Sequence, residues 1–217
     1  MKKFVALYGG SFNPSTDAHR DIGLHLLKKL RPDEVWYLVS PQNPFKPKEG
    51  MAPFHHRIAM AKLNVEDHPQ LVVQDIEAKY ALAKPDGVIE TAETLRNLTR
   101  DFPNYRFVWT MGADNFAEFH GWGDAQYIRD HFPVIIIPRP PHTEDTLAVS
   151  ESATLISRLK NASDTRFNNG WYYMDDFPLS HRMATHWREE LAQGKTPDAM
   201  RPAVAQYALK RGVYALS

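Results

Sequence analysis

Near its N-terminus the chain reads Phe4-Val5-Ala6-Leu7-Tyr8-Gly9-Gly10-Ser11-Phe12-Asn13-Pro14-Ser15-Thr16-Asp17-Ala18-His19. The first five of these residues form a continuous apolar run, which is typical of a strand buried on both faces of a parallel sheet. Two glycines end the run, and apolar residues at helical spacing follow from residue 22 to residue 30, before Pro32. This succession predicts a strand, a glycine-containing loop and a helix.

Strands and helices alternate along the rest of the chain. Apolar runs predict strands at residues 35–39, 72–73, 107–111, 134–137 and 171–173. Helical spacing predicts helices at residues 58–63, 91–99, 152–159, 181–191 and 203–211. The predicted fold class is therefore α/β: a Rossmann-like open, mostly parallel sheet with flanking helices and a ligand crevice at the carboxyl ends of the strands.

The composition changes after residue 138. Residues 139–150 are rich in proline, threonine and acidic residues, which indicates a surface connection. We predict a single domain over residues 1–217. Residues 1–140 would form the Rossmann-like nucleotide-binding core, and residues 141–217 a small, mostly helical C-terminal portion.

Composition and charge favour a small ligand over a macromolecular one. The chain has 26 Lys and Arg against 26 Asp and Glu, so its net charge is zero, which argues against a nucleic acid or a membrane surface as the main partner. It contains no Cys, which excludes thiolate metal sites and a cysteine nucleophile and suits a reducing compartment. No segment approaches the roughly 18 apolar residues of a membrane span, and the start lacks the pattern of a signal peptide. We therefore expect a cytoplasmic protein.

The loop between the first strand and the first helix has the features of a phosphate-binding site. Glycines let the backbone approach a phosphate, and the start of a helix supplies unpaired N–H groups and the positive end of a dipole. His19, close to that helix start, could donate a hydrogen bond to a phosphate oxygen. A tight strand-to-helix turn with a surface histidine fits the pattern equally well.

A family resemblance favours the phosphate site. The loop resembles the signature of the nucleotidyltransferase superfamily, Gly-Gly-(Ser/Thr)-Phe-(Asp/Asn)-Pro followed by (His/Thr)-x-Gly-His. Six further segments resemble bacterial nicotinate-nucleotide adenylyltransferases in the same order along the chain. They are residues 43–47, 91–95, 111–115, 119–122, 137–140 and 204–214.

The resemblance implies a reaction and the residues that perform it. The 5′-phosphate of nicotinate mononucleotide would attack the α-phosphorus of ATP, giving deamido-NAD and pyrophosphate, with Mg²⁺ on the phosphates as the cofactor. His19, Thr16 and Arg188 would be the catalytic residues, His19 as a hydrogen-bond donor rather than a base. The residues that the resemblance assigns to ATP are Gly9, Gly10, Ser11, Phe12, Thr16, His19, Thr185 and Arg188.

Three positions depart from the family pattern. Thr16 replaces the commoner histidine, and Ala18 replaces a glycine, whose added Cβ could crowd the nucleotide. In residues 179–188, called here the late element, Thr185 and Arg188 keep the Thr-x-x-Arg spacing, whereas Met183 takes the place of a serine. An ordinary polar helix face is the alternative interpretation of this element.

For the acceptor, the resemblance assigns Lys46, Thr91, Gly112, Asp114, Trp122 and Arg139 to nicotinate mononucleotide. The Trp122 indole would stack on the pyridine ring, although a tryptophan in the core is as common. Asp114 could accept from ribose hydroxyls or hold Mg²⁺ through a water molecule, and no other protein side chain is predicted as a metal ligand. The carboxylate of the acid would accept from backbone N–H groups near Thr91, with Glu90 turned outward.

Two alternatives stay open. One is a sister enzyme that adenylates nicotinamide mononucleotide or phosphopantetheine, since the ATP loop would be shared. The other is a nucleotide-binding relative without turnover, suggested by Ala18 and the late element. A homo-oligomer is an assembly that the sequence neither requires nor excludes.

Overall fold

The computed structural model describes residues 2–41, 50–139, 156–158, 168–174, 177 and 184–215. Seven strands form one sheet in the order β3-β2-β1-β4-β5-β7-β6. The strands are β1 Lys3–Gly10, β2 Glu34–Val39, β3 Leu71–Gln74, β4 Tyr105–Gly112, β5 Pro133–Ile137, β6 Ile156–Arg158 and β7 Gly170–Tyr173.

The pairings across the middle of the sheet are parallel. β1 pairs with β4, β4 with β5, β5 with β7, and β7 with β6, all in parallel. The residues of the first predicted strand are buried, with Val5, Ala6 and Leu7 completely inaccessible, because both faces of a parallel sheet are covered. The predicted α/β class and open parallel sheet are confirmed.

Eight α-helices lie in the described part of the chain. They are α1 Asp17–Leu30, α2 Phe54–Val65, α3 Ile76–Ala81, α4 Thr91–Asp101, α5 Ala113–Ala117, α6 Ala125–His131, α7 Ala184–Ala192 and α8 Pro202–Lys210, and a 3₁₀ turn covers Phe119–Gly121. The first turn of α1 carries Asp17 and its last turn carries Lys28 and Lys29, charges that complement the helix dipole. None of these helices is long and apolar enough to cross a membrane.

One predicted element is wrong. Residues 156–158 form β6, whereas the periodicity predicts a helix over residues 152–159, whose other residues lie outside the described chain. Ile156 pairs with Trp171 and Arg158 with Tyr173, so pairing at the sheet edge with the next strand of the chain overrides the local preference. The short helices α3, α5 and α6 are not predicted from the sequence, since each has seven residues or fewer.

The chain divides into two compact units. The first, called here the sheet unit, contains Met1–Tyr8, His25–Val35 and Ile89–His181. The second, called the loop unit, contains Gly9–Leu24, Trp36–Val88 and Arg182–Ser217. The predicted division of a single domain at residue 140 stays a prediction.

Within the loop unit, α2 packs against α8, and α7 also packs against α8. A cluster of buried apolar side chains joins these helices, and its members include Met60, Trp187, Leu191 and Val204. The C-terminal segment is therefore part of the core of the unit that also contains residues 9–16, from the end of β1 to the start of α1, called here the glycine loop.

Candidate active site

The glycine loop is held through its carbonyl groups. Gly10 O accepts from the Ser40 N–H at 3.0 Å, and Ser11 O accepts from Arg57 Nη1 at 2.8 Å. In a trans peptide the N–H points opposite to the carbonyl of the preceding residue. The N–H groups of Ser11 and Phe12 therefore face away from the groups that hold the loop, as a site for phosphate oxygens requires.

The loop is also tightly packed. A Cβ added to Gly10 would lie 3.2 Å from the Phe12 ring, so this position leaves little room for a side chain. Phe12 has a φ of 48°, an uncommon conformation for a residue other than glycine. It is held there by burial against His19, whose ring centroid lies 5.1 Å away, and against Tyr37. The Ser11 hydroxyl oxygen is buried and has no hydrogen-bond partner among the described residues.

Asn13 joins the loop to distant parts of the chain. Its Nδ2 donates to Gly50 O at 2.8 Å, and its Oδ1 accepts from the Ala52 N–H at 3.1 Å and from the Tyr214 hydroxyl at 2.8 Å. Its backbone carbonyl accepts from Arg188 Nη1 at 3.0 Å. Burial raises the pKa of the Tyr214 hydroxyl, so this group stays protonated and acts as a donor near neutral pH.

Thr16 orients the predicted catalytic histidine. Its backbone N–H lies 3.1 Å and its hydroxyl 2.8 Å from His19 Nδ1. Because a backbone N–H only donates, Nδ1 is assigned as the acceptor, and the proton of the neutral ring is then on Nε2. The Thr16 side chain is completely buried, so the structure gives it an orienting position. The predicted direct contact of Thr16 with a phosphate stays a prediction.

Asn64, on α2, fixes the start of α1. This side chain is fully buried, and its Nδ2 donates to the Ser15 hydroxyl at 3.0 Å and to Thr16 O at 2.7 Å. The Tyr37 hydroxyl donates to His19 O at 3.0 Å. The backbone at Thr16 and at His19 is therefore fixed by hydrogen bonds from side chains of α2 and β2.

The late element reaches the loop through Arg188. The side chain of this α7 residue is half-buried and binds the Asn13 carbonyl, so it is not part of an ordinary solvated helix face. The side chain of Thr185 lies outside the described residues, although its backbone belongs to α7. Lys46 lies outside the described chain altogether.

A second group of predicted residues lies at the carboxyl ends of strands in the sheet unit. Gly112 ends β4, and Asp114 and Arg139 follow the ends of β4 and β5. Arg139 Nη1 donates to Asp114 Oδ2 at 2.9 Å, and an added Cβ on Gly112 would collide with Asp114 Oδ1. That Oδ1 atom is buried and has no hydrogen-bond partner among the described residues, which leaves it as an acceptor for a ligand.

The aromatic side of this group is only partly buried. Trp122 follows the 3₁₀ turn, is half-buried and contacts Phe119 with ring centroids 5.4 Å apart. The residue is therefore not completely covered, as a tryptophan placed only for core packing would be. Glu90 is exposed, but its carboxylate lies against Gly123, where an added Cβ would collide with it. The Glu90 side chain also accepts from the N3 backbone in the capping box of α4. The predicted outward orientation of Glu90 relative to the acceptor stays a prediction.

The structure sorts the predicted site residues into two sets. The loop unit contains Gly9, Gly10, Ser11, Phe12, Thr16, His19 and Arg188. The sheet unit contains Thr91, Gly112, Asp114, Trp122 and Arg139. The sequence misses four residues that hold the loop: Asn13, Arg57, Asn64 and Tyr214.

Comparison with known proteins identifies the family. Residues 7–189 match the model of the family described as cytidylyltransferase-like. Two bacterial relatives carry the name "probable nicotinate-nucleotide adenylyltransferase". The protein of Cereibacter sphaeroides is 47% identical over 136 residues, which are 63% of this chain and 69% of the relative. The protein of Bradyrhizobium sp. (strain ORS 278) is 35% identical over 181 residues, covering 81% of this chain and 91% of the relative.

A solved structure shares the fold. The nicotinic acid mononucleotide adenylyltransferase of Plasmodium falciparum complexed with NaAD superposes with a TM-score of 0.73 and covers 98% of this chain and 97% of its own, at 19% identity. The sequence matches go further than the fold, because they extend over most of both chains at 35% and 47% identity. The chain belongs to the nicotinate-nucleotide adenylyltransferases of the cytidylyltransferase-like family.

Proposed function

We propose that the protein transfers the adenylyl group of ATP to nicotinate mononucleotide, producing deamido-NAD and pyrophosphate. The observation that carries this proposal is the arrangement of the glycine loop. The carbonyls of Gly10 and Ser11 accept hydrogen bonds from Ser40 and Arg57, and His19 Nδ1 accepts from the Thr16 N–H. Such a loop presents backbone N–H groups and an Nε2–H donor, which together suit an anionic phosphate chain.

The chemistry asks the protein for positioning and charge stabilisation. An anionic oxygen of the acceptor phosphate forms a bond to the α-phosphorus of ATP, and the bond from that phosphorus to the bridging oxygen breaks. Pyrophosphate leaves with the electron pair, so neither a base nor a covalent intermediate is needed. His19 Nε2–H and the N–H groups of Ser11 and Phe12 would donate to oxygens that gain charge in the transition state.

Mg²⁺ enters with the nucleotide in this proposal. The described residues contain no group of three or more His, Cys, Asp or Glu side chains placed to hold a metal ion. Asp114 Oδ1, buried and without a hydrogen-bond partner among those residues, is the type of acceptor that a ribose hydroxyl or a metal-bound water needs. Mg²⁺ on the phosphates would neutralise charge on the departing pyrophosphate.

The acceptor follows from the family and from the sheet unit. Both bacterial relatives are named for nicotinate nucleotide, and the Plasmodium protein is named for nicotinic acid mononucleotide. In this proposal the partly exposed Trp122 stacks on the pyridine ring, Arg139 supplies a cation for the acceptor phosphate, and Thr91 lies at the first N–H groups of α4, which bind the carboxylate. We expect acid to exceed amide at least tenfold in kcat/KM, which is about 1.4 kcal/mol.

We place the reaction in the cytoplasm as part of the same proposal, because ATP is abundant there and the chain has no Cys to oxidise. A relative without turnover is less well supported, since Arg188 of the Thr-x-x-Arg element binds the Asn13 carbonyl and Thr16 keeps a contact that orients His19.

An acceptor panel tests the proposal. The full chain is incubated with ATP, Mg²⁺ and one of three acceptors: nicotinate mononucleotide, nicotinamide mononucleotide or phosphopantetheine. Dinucleotide and pyrophosphate should appear together, fastest with nicotinate mononucleotide, and should require Mg²⁺. Equal or greater rates with phosphopantetheine, or no product with any acceptor, would contradict the assignment.

A further inference from the structure

Arg57 is a fully buried cation on the side of the glycine loop to which the Ser11 carbonyl points. It is 1% exposed and lies on α2. Its Nε donates to Ala52 O at 2.9 Å, and Nη1 donates to Ser11 O at 2.8 Å and to Ser40 O at 2.6 Å. Nη2 donates to Pro41 O at 2.7 Å. Four of the five guanidinium hydrogens therefore bind carbonyl oxygens, from the loop, the end of β2 and the segment before α2.

The charge of Arg57 has no carboxylate partner in the described part of the chain. Burial of a guanidinium is unfavourable unless its charge is compensated, and burial lowers the pKa of Arg57 accordingly. Among the described residues, the charge is compensated by the negative ends of carbonyl dipoles and by the ring of Phe54, whose centroid lies 5.4 Å from the guanidinium carbon. An apolar side chain at this position would leave the four carbonyl oxygens without this donor, so Arg57 both holds the loop backbone and places a positive charge beside it.

The orientation of one peptide links Arg57 to the nucleotide. The carbonyl of Ser11 points at the guanidinium, so the N–H of Phe12 points to the opposite side. The left-handed conformation of Phe12 is unfavourable by itself and persists only when neighbouring groups hold it. Arg57 supplies such a restraint through its hydrogen bond to Ser11 O. It also places a positive charge on the carbonyl side of the Ser11–Phe12 peptide.

We propose that Arg57 is a positioning residue for ATP, which fixes the Ser11–Phe12 peptide so that the Phe12 N–H meets a phosphate oxygen and contributes positive potential at that point. This inference rests on the proposed function, because it takes the loop as the ATP site. A purely structural arginine would stabilise the loop unit without changing the ATP affinity of folded molecules. A positioning residue changes that affinity and leaves the acceptor KM nearly unchanged.

The test compares Arg57→Lys with a matched control in the same unit. Lysine keeps the charge but cannot bind four carbonyls, because an ammonium has three donors and no planar fork. The control is Val204→Ala, a buried substitution in α8 that removes packing and touches none of the loop contacts. ATP binding is measured by calorimetry with Mg²⁺ and without an acceptor, and thermal unfolding is recorded for each variant.

Arg57→Lys should weaken ATP binding at least tenfold, while KM for nicotinate mononucleotide stays within threefold of wild type. Val204→Ala should lower the Tm and keep the ATP affinity within twofold. Arg57→Gln, which also removes the charge, should bind ATP more weakly than Arg57→Lys. An Arg57→Lys protein that binds ATP within twofold of wild type would overturn the proposal, and so would a failure of both Arg57 variants to fold.

Calorimetry separates this inference from the proposed function. A wild-type protein that binds ATP but forms no dinucleotide would overturn the proposed function alone, and Arg57 would still be judged by the ATP affinity of its variants. A wild-type protein that forms the dinucleotide while Arg57→Lys binds ATP normally would overturn the Arg57 inference alone.

Discussion

The glycine loop of the loop unit and the strand-end group of the sheet unit are built differently. Buried side chains, Arg57 and Asn64 among them, hold the backbone of the loop through hydrogen bonds. The strand-end group relies on side chains near solvent, with the exposed fractions of the paired Arg139 and Asp114 side chains at 52% and 35%. The loop is therefore preorganised, whereas the strand-end group can rearrange around a ligand. Substitutions in the loop should change the rate, and substitutions in the strand-end group should change acceptor binding.

The largest effect is expected from His19→Ala. This change removes a preorganised donor to charge that grows in the transition state, so kcat should fall about 10²–10³-fold with the fold intact. Steady-state kinetics at saturating ATP would measure it, with circular dichroism to check the fold. The matched control is His25→Ala, further along α1, which should stay within twofold of wild type. A His19→Ala enzyme within threefold of wild type would show that the loop does not set the rate.

Asp114→Asn tests the other side of the comparison. It keeps the shape but removes the charge that pairs with Arg139 and that, in the proposed function, accepts from a ligand at Oδ1. We expect KM for nicotinate mononucleotide to rise about tenfold, the lower end for a hydrogen bond to a charged group, with KM for ATP within twofold. Asp124→Asn is the control, because Asp124 is an exposed carboxylate paired with Arg96 in the same unit. A raised Mg²⁺ requirement with an unchanged acceptor KM would assign Asp114 to a metal-bound water instead.

The main features of the fold could be predicted because they depend on local patterns. Continuous apolar runs identify β1, β2, β4 and β5, which are buried on both faces whatever their neighbours are. The edge strand β6 could not be predicted, because only its pairing with β7 makes residues 156–158 a strand. The two compact units are not visible in the sequence either, since each combines segments that are far apart in the chain.

The part of the site that lies within one sequence motif could be predicted. The Gly9 to His19 segment contains both the loop and the histidine. Several residues that hold the loop come from distant positions, such as Arg57, 46 residues from Ser11, and Tyr214, 201 residues from Asn13. One signal was available. The buried face of α2 contains Arg57, Met60, Ala61, Asn64 and Val65, so two polar residues occupy an otherwise apolar stripe at helical spacing.

A smaller effect is expected from Thr16→Val. Valine keeps the shape of threonine and removes only the hydroxyl contact with His19 Nδ1, while the backbone N–H contact remains. The loss of one hydrogen bond of about 0.5–1.5 kcal/mol should lower kcat roughly two- to tenfold. Thr16→Ser, which keeps the hydroxyl, is the control and should stay close to wild type. A loss as large as that of His19→Ala would mean that Thr16 contacts the phosphates directly.

The smallest effect is expected from Glu90→Gln. The carboxylate of Glu90 lies against Gly123, next to Trp122, and its charge should repel the carboxylate of nicotinate mononucleotide. Because Glu90 is exposed and screened by solvent, removing the charge should raise kcat/KM for the acid only two- to threefold and leave the amide unchanged. The exposed Glu118, changed to Gln, is the control. A fall in acid activity would show that Glu90 helps to bind the acceptor.

The fate of labelled phosphorus in a single incubation tests adenylyl transfer most directly. The wild-type protein is given Mg²⁺, nicotinate mononucleotide and ATP labelled with ³²P at either the α or the γ position, and the products are separated. Adenylyl transfer predicts that the α label appears in deamido-NAD and the γ label in pyrophosphate, in equal amounts. Label from the γ position in the nucleotide product, release of γ label as inorganic phosphate alone, or no transfer of the α label would contradict the account.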